Sequence, residues 1–351
     1  MLVGINHNTD TNGRYLGVLD AYERILEHNG IPFVRLHADC PGFLEQVKEC
    51  DLFIMRWGHY DSDSQQALAV LPVVEGELGV RCFPDMRTCW HYDDKIRQCI
   101  LLSARDIPIV PSKIFWDRNR AIEWAKNADY PQVFKLTGGA GSTGVVKVND
   151  SQDAIRLIGR MFGRGIFQEG FLHKDNLRFR FFSPWRELRR KAGDMRRKLR
   201  GLDCSPWWKR QKNYALFQQF LPGNQFDTRV NVIGGRAFAF RRMVRPGDWR
   251  ASGSGRIDHE PSEIDMRCVK IAQETSHKMG FYCMAYDFVS DSSGQPLICE
   301  ISYTFQARAV RDCPGWWDSA LTWHEGHRWP EYLHLSDLLN LPGLKQPELD
   351  Y

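Results

Sequence analysis

The stretch Phe281-Tyr-Cys-Met-Ala-Tyr-Asp287-Phe-Val-Ser290-Asp-Ser-Ser-Gly-Gln-Pro296-Leu-Ile-Cys-Glu300-Ile-Ser302-Tyr-Thr304 decides how the chain is read. Two short apolar runs flank a segment rich in Asp, Ser, Gly and Pro, which predicts a β-hairpin. With Asp291 to Pro296 as the loop, Ser290 pairs with Leu297 and Asp287 lies opposite Glu300. Ser302, two residues on, shares the face of Glu300. Opposed carboxylates repel unless a cation lies between them. Hard oxygen donors of this kind suit Mg²⁺, which one or two carboxylates plus substrate phosphates commonly hold. The competing reading is two solvated acids on an edge hairpin.

Upstream, Gln132-Val-Phe-Lys135-Leu136 predicts a strand running into Thr137-Gly-Gly139-Ala-Gly-Ser142-Thr-Gly144, followed by a strand over Val145 to Val148. Glycines let backbone amides approach phosphate oxygens, and the lysine supplies a point charge. A Walker loop is excluded because Gly-Lys-Ser/Thr is absent and no helix follows directly. A dinucleotide fingerprint is excluded because a strand follows rather than a helix. An ordinary turn is the alternative. Further on, Gly234-Gly235 joins Phe226–Ile233 to Arg236–Met243 as a two-residue hairpin. That turn pairs Ile233 with Arg236 and Asp227 with Arg242. Asp227, Arg229 and Arg242 then share a face suited to a polyanion or to a ladder of ion pairs, and Arg241 points away.

Around these motifs the chain alternates. A strand at Leu2–Asn6, a helix through Leu26, strands at Phe33–Leu36 and Leu52–Met55, a helix from Ser64 to Leu78 and Arg81–Pro84 make a β/α lobe. Asp93-Asp94-Lys95 opens a helix with Ile96, Ile100 and Leu101 on its buried side. Ile107 to Pro111 reads as an extended linker. Helices are predicted over Arg118–Lys126, from Asp150 or Ser151 to Met161 and over Ser262–Met279, with regular structure resuming at Tyr214–Gly223.

The 351 residues carry a net charge of +4, but eleven Lys/Arg and three Asp/Glu fall within residues 186–212, so the remainder is about −4. Charge confined to one segment argues against a nucleic-acid-binding protein. Residues 186–200 read as an amphipathic helix with Leu188, Ala192, Met195 and Leu199 on one side. Trp185, Trp207 and Trp208 flank it, a pattern suited to an anionic membrane surface or to a solvated lid. Ten cysteines include no Cys-x-x-Cys pair, which argues against zinc and against a disulfide framework. With no signal peptide and no long apolar run, a cytoplasmic protein is expected, peripheral at the inner membrane face if the basic segment docks there. His324 and His327 stand at i, i+3, whereas a zinc-protease helix needs i, i+4.

Taken in order, Asp94-Lys95, Phe134-Lys135 with its Gly loop, Phe217-Gln218-Gln219-Phe220-Leu221, Asp227-x-Arg229, Gly247-Asp-Trp-Arg250 and Asp287…Glu300-x-Ser302 resemble the ATP-grasp superfamily. The flavour is that of ribosomal-protein glutamate ligases and glutathione synthetases. The resemblance covers roughly residues 1–310, and the segment from Cys313 to Glu331 resembles ATP-grasp proteins of bacterial polysaccharide gene clusters. It implies an α/β (α+β) fold with a Rossmann-like pre-grasp lobe (1–92), a central lobe (93–163), a basic aromatic-rich insertion (164–213), a C-terminal grasp lobe (214–312) and a Trp-rich extension (313–351).

It also implies ATP and Mg²⁺ as cofactors. Lys95 and Lys135 would contact phosphates beneath a loop that includes Gly139, Ser142 and Gly144. Gln218, Gln219, Phe220 and Leu221 would meet the adenine, and Asp227 belongs to the nucleotide site. Asp287, Glu300 and Ser302 would hold metal, and Arg229, Arg242 and Arg250 would act in catalysis. Two departures stand out: Ser302 where the family carries Asn, and Gln219 where it carries an acid. The implied reaction joins a carboxylate to an amine through an acyl phosphate. The partners would be small or glycan-linked substrates, uronic or amino acids, within surface polysaccharide biosynthesis. A phosphotransferase and a binding module with decayed catalysis are the rivals.

Overall fold

The computed structural model describes residues 1–8, 16–139, 144–167, 184–200 and 210–349. Three sheets organise them. The first is parallel, in the order Phe33–Leu36, Val3–Asn6, Leu52–Ile54, Cys82–Phe83. Val3–Asn6 and Leu52–Ile54 are buried throughout, as parallel strands covered on both faces must be. Helices Gly17–His28, Phe43–Lys48 and Asp61–Leu71 make the crossovers. The helix expected to run on to Leu78 instead widens into a π-helix over Pro72–Glu77, where Pro72 has no N–H to give the preceding turn. Asn6 and the segment Met55-Arg56-Trp57 leave the carboxyl ends of the two central strands. In open α/β sheets that edge is where ligands bind.

The second sheet is antiparallel, in the order Ser112–Phe115, Ala215–Gln219, Gln132–Lys135, Val145–Val148. Helices Arg118–Asn127 and Ser151–Met161 pack beside it, N-capped by Asp117 and Asp150. Phe217 lies opposite Phe134, both fully buried, and each contributes about 1.5–3 kcal/mol. The central sheet therefore takes a strand from beyond residue 163, where the central lobe is expected to end. The linker is also more than a spacer, since Ile298 N–H donates to Pro108 O and Val110 N–H to Ile298 O.

The third sheet runs Pro296–Ser302, Cys283–Ser290, Phe226–Ile233, Arg236–Met243, Gly315–Trp317, Trp323–Glu325, with Ile257–Asp258 on a side branch. The Trp-rich extension thus continues this sheet rather than standing apart. Gly234 and Gly235 turn the central hairpin at φ 53° and 81°, as a two-residue turn with both residues left-handed requires. Ile233 pairs with Arg236 and Asp227 with Arg242, as the turn predicts. Helix Met266–Met279 covers the rear face, burying Val269 and Ala272, and ends on Gly280. It begins later than expected because Asp265 caps it, with Pro261–Glu263 a separate 3₁₀ turn.

The hairpin that opened the reading forms, with one adjustment. Its loop is one residue shorter, so Ser290 pairs with Pro296 and Val289 with Leu297. Continued unbroken, that register would bring Cys299 opposite Asp287. A bulge between Asp287 and Phe288 absorbs the extra residue, and Asp287 faces Glu300 after all.

Within the basic insertion a helix spans Pro184–Lys198, and Trp185, Leu188, Met195 and Leu199 are all exposed. Trp207 and Trp208 lie outside the described residues. Among the described residues no helix is long and apolar enough to cross a membrane.

Candidate active site

A cleft of about 580 Å³ opens between the second and third sheets. The helix Lys95–Ser103 delivers its first residue into it. Asp94 caps this helix by accepting from Ile96 N–H and Arg97 N–H at 3.1 Å each. The buried face is Ile96, Gln98 and Leu102, so Ile100, expected inside, is half exposed. Lys95 itself is buried. Its Nζ lies 3.1 Å from Glu300 Oε1 and donates to Gly139 O at 3.0 Å. Burial disfavours the ammonium, but the carboxylates of Glu300 and Asp93 outweigh it and hold Lys95 above its ordinary value.

Lys135 ends the strand that leads into the Gly loop, and its Nζ lies 3.4 Å from Cys299 Sγ. Cys299 in turn donates to Gln218 Oε1 at 3.4 Å. The bulge explains why a residue next to Glu300 also faces the cleft. Gly144 closes the described part of the loop at φ 74°. A Cβ there would meet the Leu136 side chain at 3.1 Å, and its carbonyl accepts Leu136 N–H at 2.8 Å. Ser142 lies outside the described residues.

The opposite wall is a run of alternating charges. Arg229 donates through Nε to Asp287 Oδ1 at 2.6 Å and through Nη2 to Oδ2 at 2.7 Å. Arg242 lies 2.8 Å from Asp287 Oδ2 and forks onto Asp227 with two bonds of 2.7 Å. Burial pushes the Asp287 carboxyl up, yet Arg229 and Arg242 together overcome it and hold it well below the usual carboxylate range. Arg241, on the other face, pairs instead with Asp258 and Glu263. Arg250 is gripped by Asp248 at 3.0 and 3.1 Å and reaches Val145 O at 3.4 Å, spanning from the third sheet's loop to the second sheet.

The far end of the cleft is lined by Gln218, Gln219, Phe220 and Leu221. Gln219 N–H donates to Pro111 O at 2.9 Å, and Lys147 Nζ stands 3.8 Å above the Phe220 ring. Ser302 sits beside Glu300 in sequence, but its hydroxyl closes a turn. It donates to Thr304 O at 2.6 Å and accepts from Thr304 N–H at 3.3 Å. One lone pair is left over. His324 and His327 lie away from the cleft, bonded to Asp318 and to Arg311 O.

The donor set suits a hard divalent ion in kind. Asp287 and Glu300 face one another across the hairpin, and Glu300 keeps 32% of its side chain exposed while Asp287 keeps 11%. Glu300 is the more accessible of the two. Among the described residues no third Asp, Glu, His or Cys ligand atom completes a protein-only cage here. Two carboxylates that need oxygens from elsewhere are what Mg²⁺ uses with a phosphate substrate.

Sequence reasoning missed one wall. Trp57, His59 and Tyr92 come from the carboxyl edge of the parallel sheet and the turn before Lys95, and all three line the cleft. Cys299 was missed with them, since nothing in the sequence marks the bulge.

No family model matches the chain. The curated α-aminoadipate–LysW ligase LysX of Saccharolobus solfataricus is 22% identical over 254 residues, which cover 72% of this chain and 75% of that protein. The crystal structure of N5-carboxyaminoimidazole ribonucleotide synthetase from Thermotoga maritima superposes with a TM-score of 0.57 at 14% identity, covering 99% of this chain and 78% of that one. D-cycloserine synthetase DcsG superposes with a TM-score of 0.51 at 13% identity, covering 88% and 93%. The fold is that of the ATP-grasp superfamily.

Proposed function

We propose that this ATP-grasp chain is an ATP-dependent carboxylate–amine ligase. The observation that carries the reading is a single cleft. Lys95 and Lys135 stand on one wall, Arg229 and Arg242 on the other, and Asp287 and Glu300 between them. ATP is a substrate, with its adenine against Gln218–Leu221 and its phosphates toward the lysines, beneath Gly139 and the loop that includes Ser142 and Gly144. The donor carboxylate attacks the γ-phosphorus. The bond from that phosphorus to the β,γ-bridging oxygen breaks, and ADP leaves with its electrons. An amine then displaces phosphate from the acyl phosphate to give the amide.

Such transfer depends on positioning and charge more than on covalent catalysis by the protein. Arg229 and Arg242 are held in fixed forks and stabilise the transferring phosphoryl group without reorganising. Arg250, tied to Asp248 and Val145, keeps the third sheet's loop against the second sheet. Asp227 fixes Arg242. Mg²⁺, held by Asp287 and Glu300, would supply charge neutralisation at the phosphates. Ser302, through its remaining lone pair, is at most a weak additional ligand.

The donor is an amino acid or a uronic acid. The relative's name puts α-aminoadipate, an amino acid, on one side of its bond, and a role in surface polysaccharide synthesis would use a uronic acid. For the basic insertion we propose docking on an anionic lipid surface, supported by the exposed Trp185, Leu188, Met195 and Leu199 beside its arginines.

The test is a screen for free phosphate with MgATP and paired acids and amines. The acids are α-aminoadipate, the common amino acids, glucuronate and galacturonate, and the amines are the common amino acids and glucosamine. A ligase releases phosphate and ADP only when both partners are present. ADP formed without free phosphate would indicate a phosphotransferase instead.

A further inference from the structure

Apart from His59, the described residues of the cleft offer the acceptor no base. Its lysines and arginines are cationic, and its carboxylates are held by them. A second cavity of about 460 Å³ adjoins it, and the two share a wall of Trp57, His59 and Tyr92. Among the described residues lining either cavity, His59 is the only histidine.

Asp93 holds that imidazole in place. Its Oδ1 lies 3.3 Å from His59 Nδ1 and accepts Gly139 N–H at 2.8 Å. Asp93 sits at φ 53°, a left-handed position that costs a non-glycine residue energy. Its side chain is only 11% exposed. The Tyr92 hydroxyl lies 3.3 Å from Nδ1 and 3.5 Å from Nε2. Gly139 O meets Lys95, and Lys95 meets Glu300. Direct contacts therefore lead from the ring to the reacting end of the cleft, not to its adenine end.

We infer that the side cavity receives the acceptor amine and that His59 takes a proton from it. An Nδ1–H facing the Asp93 carboxylate leaves Nε2 as the basic nitrogen. The amine arrives as an ammonium, and Nε2 takes one proton. The freed lone pair attacks the acyl-phosphate carbon, the C–N bond forms and the C–O bond to phosphate breaks. Phosphate leaves with that electron pair and takes the second proton, and the third stays on the amide nitrogen. His59 passes its proton to water through the cavity mouth. Around the ring, Asp93 and Tyr92 touch it, Lys95 and Glu300 lie on the cleft side, and Asp61, Asp94, Arg97, Arg210 and Lys212 line the side cavity.

This inference rests on the ligase reading, and one experiment separates the two. The acid that releases most phosphate in the screen is incubated with MgATP, once with its amine partner and once with hydroxylamine. Hydroxylamine is largely uncharged at neutral pH, needs no base to free it, and captures the acyl phosphate as a hydroxamate. His59→Gln should leave hydroxamate formation within about twofold of the parent and lower amide formation by about 100-fold or more, the usual weight of a general base. Imidazole added to His59→Gly should restore amide formation. If His59→Gln with an unchanged urea midpoint alters both products equally or neither, or if imidazole rescues nothing, His59 is not the base and the ligase reading stands. If the parent forms no hydroxamate with any acid, the ligase reading falls and takes the inference with it.

Discussion

Removing the carboxylate of Asp287 tests the wall of alternating charges. Asp287→Asn takes one negative charge from between two guanidiniums. Arg242 keeps its fork on Asp227, but the two bonds that Arg229 makes both end on Asp287. The uncompensated charge is therefore that of Arg229, whose side chain is 18% exposed. Breaking a buried pair by removing one partner costs ~3–5 kcal/mol, and the partial exposure points to the lower end, ~3 kcal/mol. Arg229→Gln combined with Asp287→Asn removes the orphan, so the double variant should be more stable than Asp287→Asn alone by ~1–2 kcal/mol. Urea unfolding of the parent, both single variants and the double variant gives the four midpoints, compared at constant slope. A double variant that loses the sum of the singles would show that the fork carries no coupling, and the reasoning fails. The pH dependence has a definite sign. Because Asp287 is held below its ordinary value, its contribution is present above the unfolded aspartate pKa of about 3.9 and is lost as the pH falls through the folded value. The gap between parent and Asp287→Asn should be full above about pH 4 and close only in stronger acid.

Glu300→Gln should abolish phosphate release in protein that still folds, with a lowered unfolding midpoint because buried Lys95 loses its carboxylate partner at 3.1 Å; undiminished turnover would take the hairpin out of the mechanism. Lys135→Ala should weaken ATP about 10- to 100-fold by calorimetry, the worth of one charged contact, and leave adenosine unchanged. Equal weakening of both would make Lys135 a structural partner of Cys299 instead. Sedimentation with anionic vesicles at low salt, released at high salt, is expected of the parent and not of a variant with Arg189, Arg190, Arg196 and Arg197 changed to Gln. A parent that ignores such vesicles at low salt would end the membrane proposal.

Local chemistry made part of this site legible. Gly234-Gly235 admits one turn, the turn sets one register, and Asp227 opposite Arg242 follows from it. The facing of Asp287 and Glu300 was reached by two departures that cancel, a shorter loop and a bulge, and a bulge leaves no mark in an apolar run. Of the charged wall only Asp227, Arg229 and Arg242 sit on strands joined by a short turn, whereas Arg229 meets Asp287 across 58 residues, and Gln132–Lys135 and Ala215–Gln219 pair across some eighty. Periodicity announces a strand but not its partner, so the central sheet looked complete too early. His59 had no local signature at all. Its meaning comes from Asp93, thirty-four residues away, and from a cavity that exists only once the parallel sheet meets the Gly loop.

Helix Gly17–His28 rests on helix Pro330–Leu338 and the segment that follows it. Tyr22 OH and His334 Nδ1 are 2.7 Å apart, and Asn29 exchanges two 2.8 Å bonds with the backbone of Lys345. Leu19, Ile25 and Leu26 share a core with Leu333, Leu335 and Leu344. During synthesis the amino-terminal sheet therefore leaves the ribosome with an apolar flank uncovered, and the segment that covers it is made about three hundred residues later. A nascent chain stalled anywhere short of Pro330–Leu338 should display that flank to chaperones and proteases, while a chain extended past that helix covers the flank itself.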